Sequence, residues 1–124
     1  MSFEKIKKIA ANNQYEFVYK KKCKSTMLDL KKLYNIKKKN YIILSEEQTN
    51  GLGRRGNIWH SPKGNIYCSI NFNGKIKIKN YFLFNILIAT SIKKVLEKFK
   101  IDNILFKWPN DIFFKKQKFC GIIS

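Results

Sequence analysis

From Gly51 to Pro62 the chain reads Gly-Leu-Gly-Arg-Arg-Gly-Asn-Ile-Trp-His-Ser-Pro, and this segment limits the fold more than any other. It holds three of the six glycines, one of the two prolines and both arginines. Glycine lacks a Cβ, so the backbone here is free to take positive φ and to approach a ligand closely. Arg54 and Arg55 are adjacent, in a chain whose other strong cations are all Lys. Lys is a hydrated point charge, whereas Arg is a planar fork of donors that matches a phosphate or a carboxylate. The segment therefore reads as an anion-binding loop that closes over a small molecule. The competing reading is a basic, solvated surface loop.

A length of 124 residues allows one domain, or part of one, and 44% apolar with 15% aromatic residues is enough for an ordinary core. The net charge of +18 fits a nucleic-acid partner or an anionic surface. The joint abundance of Lys, Asn and Ile, with Ala and Arg scarce, offers a plainer cause in coding bias. Cys23, Cys68 and Cys120 are widely spaced and odd in number, which favours buried, reduced thiols over a disulfide framework or a metal site. The start, Met1 to Lys8, has no signal-peptide core, and no run of about 18 apolar residues offers a membrane span. A cytoplasmic location is the expectation.

Along the chain, residues 1–13 read as a short helix or a frayed lead-in. Tyr15, Phe17 and Tyr19 alternate with Glu16, Val18 and Lys20 as a strand. Ser25 or Thr26 can cap a helix running to about Tyr34, and Tyr41–Leu44 reads as a buried strand. After the glycine loop, Ser61-Pro62-Lys63-Gly64 is a turn. Asn65–Phe72 alternates, with Ile66, Cys68 and Ile70 on one face and Tyr67, Ser69 and Asn71 on the other. Asn73-Gly74 is a turn. The longest helix runs from Asn80 to Phe99, with a stripe of Phe84, Leu87, Ile88, Ile92, Val95, Leu96 and Phe99. Ile104–Lys107 and Ile112–Phe114 read as strands broken at Pro109-Asn110-Asp111, and Phe119–Ile123 opens another after a Lys-rich turn. The order gives an α+β domain with a mixed, largely antiparallel sheet and packed helices. A chain stopping inside or just after a strand suggests the front portion of a larger domain.

Four pieces fall in a distinctive order: Ser25-Thr26 opening a helix; Gln48 with the glycine–arginine loop through Trp59; Lys107-Trp108-Pro109-Asn110-Asp111; and Lys118 three residues before Gly121-Ile122. Over roughly residues 15–123 this order resembles the catalytic domain of biotin protein ligases. That family carries Ser-Thr-Asn, then Gln-x-x-Gly-Arg-Gly-Arg-Arg-Gly-x-x-Trp-x-Ser-Pro, then Lys-Trp-Pro-Asn-Asp and Lys-x-x-Gly-Ile. The resemblance implies a class II aminoacyl-tRNA synthetase-like biotin/lipoate ligase fold, present as its N-terminal part. It implies a reaction in which biotin and ATP with Mg²⁺ give biotinyl-5′-AMP, whose acyl group passes to a lysine of the biotin carboxyl carrier protein of acetyl-CoA carboxylase.

Carried onto this chain, the resemblance gives Arg54 and Lys118 the catalytic role of neutralising the carboxylate and the α-phosphate. Ser25, Thr26, Met27, Gln48, Gly51, Leu52 and Gly53, with Arg54 and Lys118, would bind biotin, the Gly51 and Gly53 N–H groups standing open as donors. Arg55, Trp59, Lys107, Asn110 and Asp111, again with Arg54 and Lys118, would bind ATP or the adenylate. Asp111 would hold Mg²⁺ or orient a phosphate-binding Lys. Each has a plainer alternative: Ser25 and Thr26 as helix caps, Pro109-Asn110-Asp111 as a turn, Trp59 as a core aromatic. For Trp108 a core role is preferred. The chain departs from the family at Met27 and Leu52, where Asn and Arg are usual, and at Asn57, where a basic residue is frequent. These changes bear on how tightly an adenylate is held.

About 14 residues precede the first strand, too few for a helix-turn-helix, so no DNA-repressor role is expected. No membrane partner is expected either. The back of the catalytic domain and the small β-domain after it are expected to be missing. The rival functions are a lipoate or octanoate ligase of the same fold, which Met27 slightly favours, and a basic nucleic-acid-binding module.

Overall fold

A computed structural model describes residues 2–72 and 81–124. The chain forms two compact units, Met1–Lys75 and Ile76–Ser124; among the described residues the first holds a three-stranded and a two-stranded sheet and the second a three-stranded one.

In the first unit, α1 (Phe3–Asn12) starts at Ser2, whose hydroxyl accepts from the Lys5 N–H, with Glu4 in the first turn against the helix dipole. The lead-in is thus a capped helix. The following strand β1 (Tyr15–Lys20) runs parallel to β2 (Asn40–Ser45), and the crossover between them carries α2 (Thr26–Lys37). The helix ends one turn later than the sequence suggests, at Lys38 in the left-handed region (φ 53°), whose N–H reaches the Tyr34 carbonyl at 2.8 Å. Strand β2 buries Tyr41, Ile43 and Ser45 on one face, as its period of two demands. Its other edge pairs antiparallel with β5 (Tyr67–Ile70), giving a mixed three-stranded sheet in the order β1-β2-β5.

Two features of this unit differ from expectation. The stretch from Gln48 onward is a hairpin as well as a loop: β3 (Gln48–Leu52) pairs antiparallel with β4 (Ile58–Ser61), and a single 3-10 turn, Arg54–Gly56, sits between them. Glycine is tolerated in β3 because the partner backbone comes too close for a side chain. In β5 the polar-looking face is the buried one. Tyr67 and Ser69 point inward while Cys68 and Ile70 are exposed. Hydrogen bonds explain the choice: Tyr67 donates to the Pro62 carbonyl at 2.8 Å and Ser69 donates to Thr26 at 2.8 Å.

In the second unit α3 (Phe82–Lys98) packs on an antiparallel meander of β6 (Ile104–Lys107), β7 (Asp111–Phe114) and β8 (Gln117–Gly121). The β7–β8 turn places Lys115 and Lys116 both at positive φ (46° and 64°), and β8 starts two residues earlier than expected. The core is Ala89, Ile104, Ile112 and Ile122, with Ile88, Ile92, Leu96 and Phe114 against it. The expected stripe is therefore only half right. Leu87, Val95 and Phe99 are exposed, because the helix turns Ala89 and its neighbours three and seven residues on toward the sheet. Trp108 is also no core residue. It lies 56% exposed just past β6, a strand that buries only Ile104, and its ring contacts Phe82 and Phe106 at 5.1 and 6.5 Å between centroids.

The Asn73-Gly74 turn and the Asn80 helix start lie outside the described residues. All three cysteines are free; Cys68 is exposed as a residue, yet burial around its thiol pushes the pKa up to about 11. No described helix is long and apolar enough to cross a membrane.

Ile112 is 1% exposed at the centre of the second core. Ile112→Ala is expected to cost about 2–5 kcal/mol of unfolding free energy. Denaturant titration of the second unit's transition checks this, and a loss below about 0.5 kcal/mol would place the core elsewhere.

Candidate ligand site

The first cluster begins with backbone. The chain ahead of α2 runs parallel to the start of β3: the Cys23 N–H donates to the Glu47 carbonyl (3.1 Å), the Thr49 N–H to Cys23 (3.0 Å) and the Asn50 N–H to Lys24 (2.9 Å). This pairing sets the first turn of α2 beside Gln48. The Gln48 Oε1 accepts twice, from the Thr26 N–H at 2.8 Å and from the Thr26 hydroxyl at 3.1 Å. Its Nε2 donates to Ser61 Oγ at 3.0 Å, and Ser61 donates to the Trp59 carbonyl at 2.9 Å. Ser69 closes the other end by donating to Thr26 Oγ1 at 2.8 Å.

Ser25 is the N-cap residue by position, with its carbonyl taking the Asp29 N–H at 3.0 Å, but its side chain makes no cap bond. Its hydroxyl is fully buried and has no hydrogen-bond partner among the described residues. An orphaned buried hydroxyl costs about 1–3 kcal/mol, so capping does not account for Ser25. Nor does it account for Thr26, whose hydroxyl turns to Gln48. Met27, in the same turn, is 39% exposed and its thioether can replace no amide contact.

The glycine–arginine segment is held in a tight turn. The Gly53 N–H donates to the Asn57 carbonyl at 2.7 Å and the Asn57 N–H to the Arg54 carbonyl at 3.1 Å. Gly53 is therefore not the open donor expected of it, because its N–H is spent closing the turn. Leu52 pairs with Ile58 and Gly51 with Trp59 in the hairpin ladder. Arg54 and Trp59 are half-buried, whereas Arg55 is exposed and sits in the left-handed region at φ 55°. A Cβ on Gly51 would lie 2.5 Å from both Ser61 Oγ and the Trp59 carbonyl, and 3.0 Å from Gln48 Nε2. That glycine is what lets the Gln48–Ser61–Trp59 bonds form.

The second cluster belongs to the second unit. Lys118 Nζ pairs with Asp111 Oδ1 at 2.9 Å, and Asn110 Nδ2 donates to the same oxygen at 2.9 Å. The Asn110 carbonyl takes the Ile122 N–H at 2.8 Å, and the Pro109 carbonyl takes Asn85 Nδ2 at 3.1 Å. These bonds fix the turn that carries Asn110 and Asp111. Of the two roles offered for Asp111, orienting a lysine fits, since one of its oxygens is committed to Lys118 and Asn110. Among the described residues no group of three or more His, Cys, Asp or Glu side chains converges as a metal site. Lys107 stands opposite Asp111 in the hairpin, but its ammonium lies over the Phe113 ring, 5.4 Å from the centroid. Cys120, beside this cluster, has its thiol pKa pushed up, chiefly by burial and then by the Asp111 charge.

The structure thus brings Ser25, Thr26, Gln48, Gly51 and Trp59 together in one unit and Asn110, Asp111 and Lys118 in the other. Sequence reasoning gave no role to Ser61, Ser69 or Asn85. Ser61 stood in the Trp-x-Ser-Pro run and Ser69 at the right alternation in β5, but a serine in a strand carries no signal by itself.

A β-α-β start and a hairpin with an arginine turn in one unit, and an α-helix on a meander carrying a lysine–aspartate pair in the other, make this an α+β protein. The chain belongs to the biotin/lipoate A/B protein ligase family, which matches residues 18–124. It is 33% identical over 81 residues to the bifunctional ligase/repressor BirA of Escherichia coli, covering 64% of this chain and 25% of that protein. It is 28% identical over 87 residues to biotin--protein ligase 2 of Arabidopsis thaliana, covering 66% and 26%. Among solved structures, the biotin protein ligase of Aquifex aeolicus in complex with biotin and ATP aligns with a TM-score of 0.74 at 28% identity, over 86% of this chain and 45% of that one. The Helicobacter pylori biotin acetyl coenzyme A carboxylase synthetase with bound biotinylated ATP aligns at 0.71 and 27%, over 89% and 54%. The chain therefore spans about a quarter of those curated relatives and about half of the solved chains.

Gly51→Ala is expected to destabilise the first unit by about 1–3 kcal/mol, because the Trp59 carbonyl it would meet is hairpin backbone and the Ser61 hydroxyl it would meet is bonded to that carbonyl. Thermal unfolding checks this, and an unchanged midpoint would contradict the close approach.

Proposed function

We propose that this chain is the N-terminal part of the catalytic domain of a biotin ligase, which activates biotin with ATP as biotinyl-5′-AMP and passes the acyl group to a lysine of a biotin carboxyl carrier protein. The observation that carries this reading is the Thr26–Gln48 clamp next to the arginine turn. It sets neutral hydrogen-bonding groups, suited to a ureido ring, in the same hairpin as guanidinium groups suited to a carboxylate and a phosphate. The relatives solved with biotin and ATP support it.

The chemistry needs cations because a carboxylate and a phosphate repel one another as the new bond forms. Arg54 supplies a donor fork for the charge that grows on the α-phosphoryl oxygens. Lys118 supplies a second cation, and Asp111 and Asn110 hold its ammonium in one place. Arg55 serves the phosphates, and Trp59 offers a flat face to adenine or to the biotin rings. Mg²⁺ would accompany the nucleotide phosphates and offset their charge. The carrier of acetyl-CoA carboxylase is the proposed acceptor, in the cytoplasm and without a role for DNA. A lipoate or octanoate ligase is the less favoured reading, since an apolar acyl chain leaves the polar groups around Gln48 unanswered.

In the full-length protein, Arg54→Ala is expected to cut biotin-dependent pyrophosphate release by about two orders of magnitude or more, the scale for a lost transition-state donor. Calorimetry should show biotin binding by the unsubstituted protein. Near-normal turnover would remove Arg54 from the reaction, and absence of biotin binding would remove the assignment.

A further inference from the structure

We propose that Ser61 and Ser69 are positioning residues for ligand choice: they hold the two ends of a one-way chain of hydrogen bonds that fixes the Gln48 amide, so that Gln48 meets a ligand only as an N–H donor. The inference rests on the biotin reading above, and it adds the residues that set selectivity for a cyclic urea over an apolar acyl chain.

The direction of every proton in this chain follows from two groups that cannot reverse. The Thr26 backbone N–H can only donate, and it lies 2.8 Å from one end of the Gln48 amide, so that end is the carbonyl oxygen. That oxygen cannot donate, so the Thr26 hydroxyl, 3.1 Å away, must give its proton to it. Having spent its only proton, Thr26 Oγ1 must accept from Ser69, at 2.8 Å. At the other end the Trp59 carbonyl can only accept, so Ser61 donates to it at 2.9 Å and must itself accept from Gln48 Nε2 at 3.0 Å. Both lone pairs of Oε1 and one proton of Nε2 are thereby used. The second Nε2 proton is what the amide offers a ligand.

Burial makes the arrangement hard to reverse. Thr26, Ser61 and Ser69 are all buried, Gln48 is half-buried, and Gly51 leaves the space that Ser61 needs. A flipped amide would set NH₂ against the Thr26 N–H, two donors facing each other. An acceptor such as a ring urea oxygen satisfies the remaining proton. A saturated acyl chain does not, and a site built for a hydrogen bond rejects the analogue that lacks it.

The test uses the full-length protein with Ser61→Ala, Ser61→Thr and Ser69→Ala. Ser61→Ala is expected to weaken biotin binding about tenfold, to raise the KM for biotin while that for ATP moves less than twofold, and to narrow the preference for biotin over octanoate in competition. Ser69→Ala is expected to act in the same direction. Ser61→Thr, which keeps the oxygen, is expected to restore most of the loss. Biotin affinity and selectivity unchanged in both alanine variants would overturn the proposal. So would a Ser61→Ala protein whose KM values for biotin and ATP rise together. A ligand-free arm separates this from failure of the biotin reading. The Gln48 side-chain amide protons, followed by nitrogen-edited NMR, should exchange slowly in the unsubstituted protein and fast in Ser61→Ala. Equal exchange in the two would refute the relay even if biotin binds. If the unsubstituted protein binds no biotin, the site reading fails and the selectivity claim fails with it, whatever the exchange shows.

Discussion

The double hydrogen bond from Thr26 to the Gln48 side chain ties the first unit together. It joins the start of α2 to the start of β3, two elements separated by 22 positions in sequence. The N-terminus of a helix has N–H groups with no partner inside the helix. Usually the cap residue's own side chain satisfies one of them. Here Ser25 does not, and an amide from a neighbouring strand does so instead. The helix is thereby capped in trans, and its position is set by the sheet rather than by its own sequence.

The same bond organises what lies around it. Because Gln48 Oε1 is fixed on Thr26, Nε2 must face β4, which places Ser61 and requires the missing side chain at Gly51. The hairpin then carries Arg54 and Arg55 at its end, close in sequence to the clamp. In the second unit a buried Asn85 plays a comparable part, holding the Pro109 carbonyl so that Asn110 and Asp111 can hold Lys118. In both units a neutral amide from another element positions the residues that bear charge. Uncharged donors and acceptors can be buried when paired, whereas a buried ion costs far more.

Much of this was legible in the sequence, and the exceptions have physical causes. Period-two alternation found β1 and β5, a short apolar run found β2, and the arginine-bearing glycine segment with Lys-Trp-Pro-Asn-Asp carried the family resemblance. Strands β3 and β4 were hidden because glycine and arginine look like loop, and because what makes them strands is pairing with each other. The buried side of β5 was hidden because hydrophobicity pointed to Cys68 and Ile70, while long-range bonds from Tyr67 and Ser69 decided the matter. Trp108 reads as core by size alone, but β6 has only one inward position. The roles of Ser61 and Ser69 could not be read, since a hydroxyl acquires direction only from the partners the fold brings to it.

Arg55 occupies a conformation that disfavours its own side chain. Any residue with a Cβ in the left-handed region costs roughly 1–2 kcal/mol that glycine would not, and glycines stand nearby at 53 and 56. The backbone at this place would be more comfortable without a Cβ. A guanidinium stands there all the same, on an exposed turn where packing gives little in return. The hairpin tip is thus held away from its own conformational minimum, and a partner that engages that side chain meets a turn already bent to present it.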